Sequence, residues 1–232
     1  MAFNPSDWLV PVDCGHGIET PGKRSPAAVQ GLVDDPLYFR EYAWAREVGA
    51  MVADLLYFQG FKVELLQKDD RDMPLAQRTD LANRLARKHG VSHTILLSVH
   101  ANAAGSGKEW MNARGWCVYT SPGETESDKV ATEMFQVAQE EFLDPARAYI
   151  HTFNLGGKQK PIRTDWSDGD PDYEAAFWML RKTICPAVLV ENFFQDNKAD
   201  VAYLKSDRGK GSCAFVMAEG IINYCKKYGS SK

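Results

Sequence analysis

Three short apolar runs, each ending on a residue suited to metal binding or proton transfer, constrain this chain more than any other feature. "WLVPVD" leads into Cys14, Gly15, His16 and Gly17; "TILLSV" ends at His100; "PAVLV" ends at Glu191. Between these runs lie longer stretches whose apolar residues recur at helical spacing. Strands alternating with helices imply crossover units and a sheet buried on both faces. The expected fold is therefore α/β: a single domain with an open, twisted, mostly parallel sheet and helices on both faces. In such sheets, sites form outside the carboxyl ends of the strands. Parallel strands would carry His16, His100 and Glu191 to the same edge.

The helical stretches have readable ends. "DDPLYFREYAWAREVGAMVADLLYFQG" predicts a helix with Asp35 as N-cap, Pro36 just inside and Gly60 as its stop. "MPLAQRTDLANRLARKHG" predicts a second helix, closed by Gly90, and "ETESDKVATEMFQVAQEEFL" a third with an acidic outer face. "FKVELL" and "GWCVYT" complete the strands; "YEAAFWMLRK" is expected to be a short helix and "AFVMAEGIINYCKKY" a closing one. Residues 144–172 have no periodicity and are rich in Gly, Pro and Asp.

Composition excludes several function classes. Net charge is −4 with no run of like charges, which speaks against a nucleic-acid footprint. No apolar stretch reaches the roughly 20 residues of a membrane span. "MAFNPSDWLVPVDCG" has no basic leader and no cleavage site, so no signal peptide is expected and synthesis in the cytoplasm fits. Five cysteines with no CxxC pair suit a reducing compartment better than a disulfide framework. No second domain is expected within residues 1–232. The sequence does not specify an oligomeric state.

Two histidines and a carboxylate suit zinc, which takes nitrogen and oxygen donors. A hydrolytic zinc usually keeps three protein ligands and one open position, so a third ligand is required. Glu41, early in the helix after the His16 loop, is a candidate. Periodicity alone does not separate it from Glu47, and either, like Arg40, is compatible with a solvated face.

The segments resemble the zinc-dependent N-acetylmuramoyl-L-alanine amidases of the amidase type 3 family. The resemblance rests on "VPVDCGHG", on "EYAWAREVGAMVADLL" from Glu41, on "LAQRTDLAN", on "SVHANA" and on "PAVLVENFFQDN". These occur in family order across about residues 9–223. Cys14 stands where the family commonly has proline, and 145–172 matches no family motif. The resemblance implies one zinc held by His16, Glu41 and His100, with Glu191 as the catalytic carboxylate. It also implies peptidoglycan as substrate, cut between N-acetylmuramic acid and L-alanine by a phage lysin or an autolysin. Alternatives are a related zinc peptidase or amidohydrolase and an inactive wall-binding module.

Other residues carry weaker expectations. Arg78 and Asn83 suit an ion pair or helix packing, and Asn102 a brace for the ligand loop. Cys14 reads as a small apolar strand-end residue. His151, Arg147, Lys158, Lys160 and Arg163 form either a solvated basic loop or a platform for stem-peptide carboxylates. Asn102, Arg163 and His151 are the possible substrate contacts.

Overall fold

The computed structural model describes residues 3–157 and 159–229, so Lys158 lies outside the described residues. The strands are β1 (Leu9–Cys14), β2 (Lys62–Leu65), β3 (Leu96–Asn102), β4 (Cys117–Thr120), β5 (Tyr173–Glu174) and β6 (Ala187–Phe194). The helices are α1 (Pro26–Val29), α2 (Glu41–Phe58), α3 (Leu75–His89), α4 (Glu126–Phe142), α5 (Trp178–Lys182), α6 (Lys198–Lys205) and α7 (Asp207–Tyr228). One sheet runs β2-β1-β3-β6-β4-β5. Its first four strands are mutually parallel, β4 is antiparallel to β6, and β5 is parallel to β4. The open, mostly parallel sheet matches the sequence expectation.

Strand alternation divides the side chains between two unequal faces. Val10, Val12 and Cys14 of β1, with Leu97 and Val99 of β3, join the larger core beneath α2, α4 and α7. Leu96, Ala187 and Leu189 meet α3 and the five-residue α5 on the other face. Asp13, Ser98, His100 and Glu191 fall on that thinly covered face, toward its carboxyl end. The face that carries the polar residues is thus the one with less helix over it.

Asp13 is an acid buried within an apolar strand, and the fold surrounds it with donors. Ser98 Oγ donates to its Oδ2 at 2.6 Å, Arg78 Nη1 approaches Oδ1 at 3.3 Å, and Gln67 Nε2 also donates to Oδ1. Arg78 additionally donates to Asp72 and to the Met73 carbonyl. Buried charge is tolerated only with such pairing. Asn83 clamps the chain entering β6, donating to Lys182 O at 2.8 Å and accepting from Ile184 N at 2.9 Å. Both motif residues on α3 are braces.

Three boundaries differ from expectation. The first long helix begins at Glu41, not near Asp35. Asp35 Oδ1 instead accepts from Leu37 N at 2.7 Å, and Ser25 bonds to Leu37 and Phe39. Tertiary bonds to the 24–25 segment thus hold residues 35–40 outside the helix. Tyr173 and Glu174 are extended and pair with β4, leaving only Trp178–Lys182 helical. Edge pairing overrides the helical spacing of "YEAAFW" there. The closing helix starts at Asp207 because Ser206 caps it: its Oγ accepts from Gly209 N at 3.0 Å and donates to Tyr203 O at 2.6 Å. The separate α6 precedes it, capped by Asn197.

The five cysteines are free and buried. Among the described residues, no helix is long and apolar enough to cross a membrane.

Candidate active site

A histidine stands between two glycines because both neighbours touch other chain segments. A Cβ on Gly15 would lie 2.3 Å from His100 Cε1, and one on Gly17 would lie 2.0 Å from Asp72 N. His16 itself adopts a left-handed φ of 64°, uncommon for a residue with a side chain. The loop is held in that shape by Gly15 N donating to Val99 O and by Arg46 Nη2 donating to His16 O at 2.9 Å. The imidazole is thereby turned over the end of the sheet, with its ring centroid 4.9 Å from that of His100.

Glu41 opens α2, where its negative charge faces the positive end of the helix dipole. It is fully buried. His100 Nδ1 lies 3.0 Å and His16 Nε2 3.4 Å from Glu41 Oε1. Ala101 N also donates to Oε1, at 3.1 Å, and Gln195 Nε2 donates to Oε2 at 3.1 Å. Burial alone would raise the Glu41 carboxyl, but the hydrogen bond from His100 and the close approach of His16 override it and hold it well below the carboxylate range. Burial lowers His16 and outweighs its weaker contact with Glu41. His100 is desolvated too, yet its closer bond to Glu41 raises it.

One donor atom from each of His16, Glu41 and His100 lies within 4.8 Å of the others. His16 Nε2 is buried with no hydrogen-bond partner. A buried imidazole nitrogen, a second imidazole and a carboxylate make a donor set that fits zinc. The three residues singled out in the sequence are brought together by the fold.

Glu191 sits beside them. β6 pairs it with His100 on one side, and β4 pairs it with Cys117 on the other. Its Oε2 is buried without a partner. Burial pushes its carboxyl up to about 7, against the pull of His100 and with the repulsion of Glu41. Lys23, which sequence reasoning passed over, contributes positive charge felt at both Glu191 and His16.

A family model described as N-acetylmuramoyl-L-alanine amidase matches residues 10–223. The chain belongs to this family. An endolysin of Bacillus phage SPP1 is 27% identical over 226 residues, covering 96% of this chain and 69% of the relative. AmiA of Escherichia coli is 27% identical over 201 residues, covering 78% of this chain and 67% of that protein. The solved catalytic domain of CwlV from Bacillus (Paenibacillus) polymyxa has the same fold, with a TM-score of 0.67, 21% identity and coverage of 94% and 97%.

The remaining candidates in this amidase separate. Asn102 is a brace: its carbonyl accepts from Gln195 N at 2.8 Å, and its Oδ1 accepts from Ala103 N at 2.8 Å. Arg163 follows Ile162, which pairs with Trp116 beside β4, and its guanidinium lies 5.3 Å from the Phe194 ring. That places it on the site's flank, beyond Cys117. His151 is on an exposed turn and Lys160 is exposed, while Arg147 is tied to Glu141 and Asp144. Of the segment's basic residues, Arg163 lies beside the end of β6 at Phe194, Arg147 is tied up in ion pairs, and His151 and Lys160 face solvent. Trp166 packs edge-on against Phe135, and Trp178 donates to Thr79 on α3. Cys14 is inert, its thiol pushed up to about 12 by burial.

Proposed function

We propose that this chain is a zinc-dependent hydrolase that cleaves the amide between the lactyl group of N-acetylmuramic acid and L-alanine in peptidoglycan. The observation that carries the zinc assignment is the convergence of His16, Glu41 and His100 on one point, with Glu191 on the adjoining strand. The chemistry zinc supplies in such a place is Lewis acidity, which polarises a carbonyl and makes water acidic near neutral pH.

The chain's own residues do the rest. Glu191 takes the proton of the attacking water and delivers it to the departing amide nitrogen. Its unpartnered Oε2 is free for that exchange, and burial raises its carboxyl from the ordinary range toward neutral pH, which eases the return of the proton. Gln195 and Ala101 hold Glu41, and Arg46 holds the His16 loop. Lys23 adds positive charge that is felt at both Glu191 and His16.

Arg163 is the proposed contact for a carboxylate of the stem peptide. Its removal as Arg163→Ala should raise KM for peptidoglycan carrying free carboxylates and leave thermal unfolding nearly unchanged. Equal KM values for wild type and variant, on both anionic and amidated peptides, would show a solvated charge.

The function is tested by incubating zinc-loaded protein with purified peptidoglycan and weighing the products. Free stem peptides with an L-alanine amino terminus and glycan strands stripped of peptide are expected, and a chelator should abolish both. New amino groups with peptide still attached to glycan would indicate a peptidase. No product despite bound zinc would indicate a wall-binding module. The setting follows from the substrate: the enzyme acts at the cell wall, in lysis or in remodelling.

A further inference from the structure

We infer that Gln195 is a positioning residue for the metal centre, fixing which oxygen of Glu41 faces the two imidazoles; this rests on the zinc reading above. The carboxylate of Glu41 is held asymmetrically. Oε1 has His100 Nδ1, His16 Nε2 and Ala101 N around it. Oε2 is bonded by Gln195 Nε2 at 3.1 Å. That bond stops the carboxylate from turning about its last single bond and keeps Oε1 toward the histidines. Hydrogen bonds of this kind orient metal-binding carboxylates.

The amide can face only one way. With its nitrogen toward Glu41, Gln195 leaves Oε1 buried and without a partner. Flipping it would set that oxygen against a carboxylate oxygen. An unpartnered buried oxygen is costly, so an apolar side chain of similar volume would serve folding better. The amide at this fully buried position is therefore explained by what it does to Glu41, not by packing.

The backbone delivers Gln195 to this point through a bulge. His100 pairs with Glu191 but Asn102 pairs with Phe194, so β6 carries an extra residue in the interval. Phe193 takes the left-handed conformation there, with φ of 60°. Beyond it, Asp200 Oδ2 accepts from Phe194 N at 3.1 Å, and Asn102 O accepts from Gln195 N at 2.8 Å. The strand that positions Glu191 thus also positions Gln195.

The test measures zinc affinity by competition with a chromogenic chelator. Gln195→Met keeps the volume and removes the donor; Gln195→Asn keeps the amide but shortens its reach. Both should weaken zinc about 10- to 100-fold, the usual effect of losing an outer hydrogen bond to a ligand. Thermal unfolding of the metal-free Gln195→Met protein should stay close to wild type. A structural role would instead lower that unfolding temperature and leave the affinity of the folded protein intact. Should the variants fold poorly, the wild type still decides. Its Gln195 side-chain amide signals, followed by NMR, should move on zinc addition. Wild-type affinity in a folded variant, or unmoved Gln195 signals, overturns the inference. Failure of the wild type to bind zinc at all would instead defeat the reading on which it rests.

Discussion

Glu191→Gln should lower amide hydrolysis by about 10²- to 10⁴-fold, the usual contribution of a general acid–base group, while zinc content and thermal unfolding stay near wild type. Glutamine keeps the shape of the side chain and its place opposite His100 and Cys117. It loses the capacity to accept and return a proton. The pH profile gives the sign of the effect. A general base must be ionised, so wild-type kcat should fall as pH drops and Glu191 gains its proton. Burial pushes that carboxyl up to about 7 from an ordinary value of 4.5, and a nearby cation draws it down, so the acidic limb should lie between these limits. The residual activity of Glu191→Gln should lack that limb. Loss of zinc in Glu191→Gln would make Glu191 a ligand. Nearly full activity would place the proton elsewhere, with Glu41 the first residue to re-examine.

His100→Ala should bring zinc well below one ion per chain after dialysis and take activity down by roughly 10³-fold or more, since Lewis acidity is worth several kcal/mol. The imidazole is the nearest partner of Glu41, at 3.0 Å, and abuts the Gly15 backbone. Its loss removes one of the three donors and loosens the wall against which the His16 loop is built. The sheet should survive, because His100 lies beyond the apolar pairs Leu97–Val188 and Val99–Val190. Near-native circular dichroism together with low metal is the expected pair of results. A full equivalent of zinc in this variant would defeat the ligand assignment.

The parts of the site that stand at strand ends were legible in the sequence. His16, His100 and Glu191 each follow an apolar run, and strand direction alone gathers such residues at one edge. Glu41 was not legible in the same way. Glu41 and Glu47 share a helix, and only the fold shows that Glu41 is buried at its first turn while Glu47 reaches out to Lys210. The helix start was misplaced because Asp35 and Pro36 look like a cap, whereas bonds to Ser25 decide the matter. Asp13 offered a clue in its acid within an apolar strand, though its partners Gln67, Arg78 and Ser98 come from separate segments. Gln195 had no signal, since its placement depends on Phe193 taking a backbone conformation that usually announces itself as glycine.

That conformation makes strand length a functional quantity. The extra residue in β6 between the two pairings with β3 decides which side of the sheet the following side chains occupy. Phe193 fills the aromatic cluster of Phe142, Tyr149 and Tyr203, while Gln195 turns to Glu41. Deleting one residue between Glu191 and Phe194 would turn the side chains that follow to the opposite face, because side chains alternate along a strand. Relatives could therefore vary in composition here far more freely than in count: the interval behaves as a spacer whose length, rather than its chemistry, keeps Glu191 and Gln195 in step.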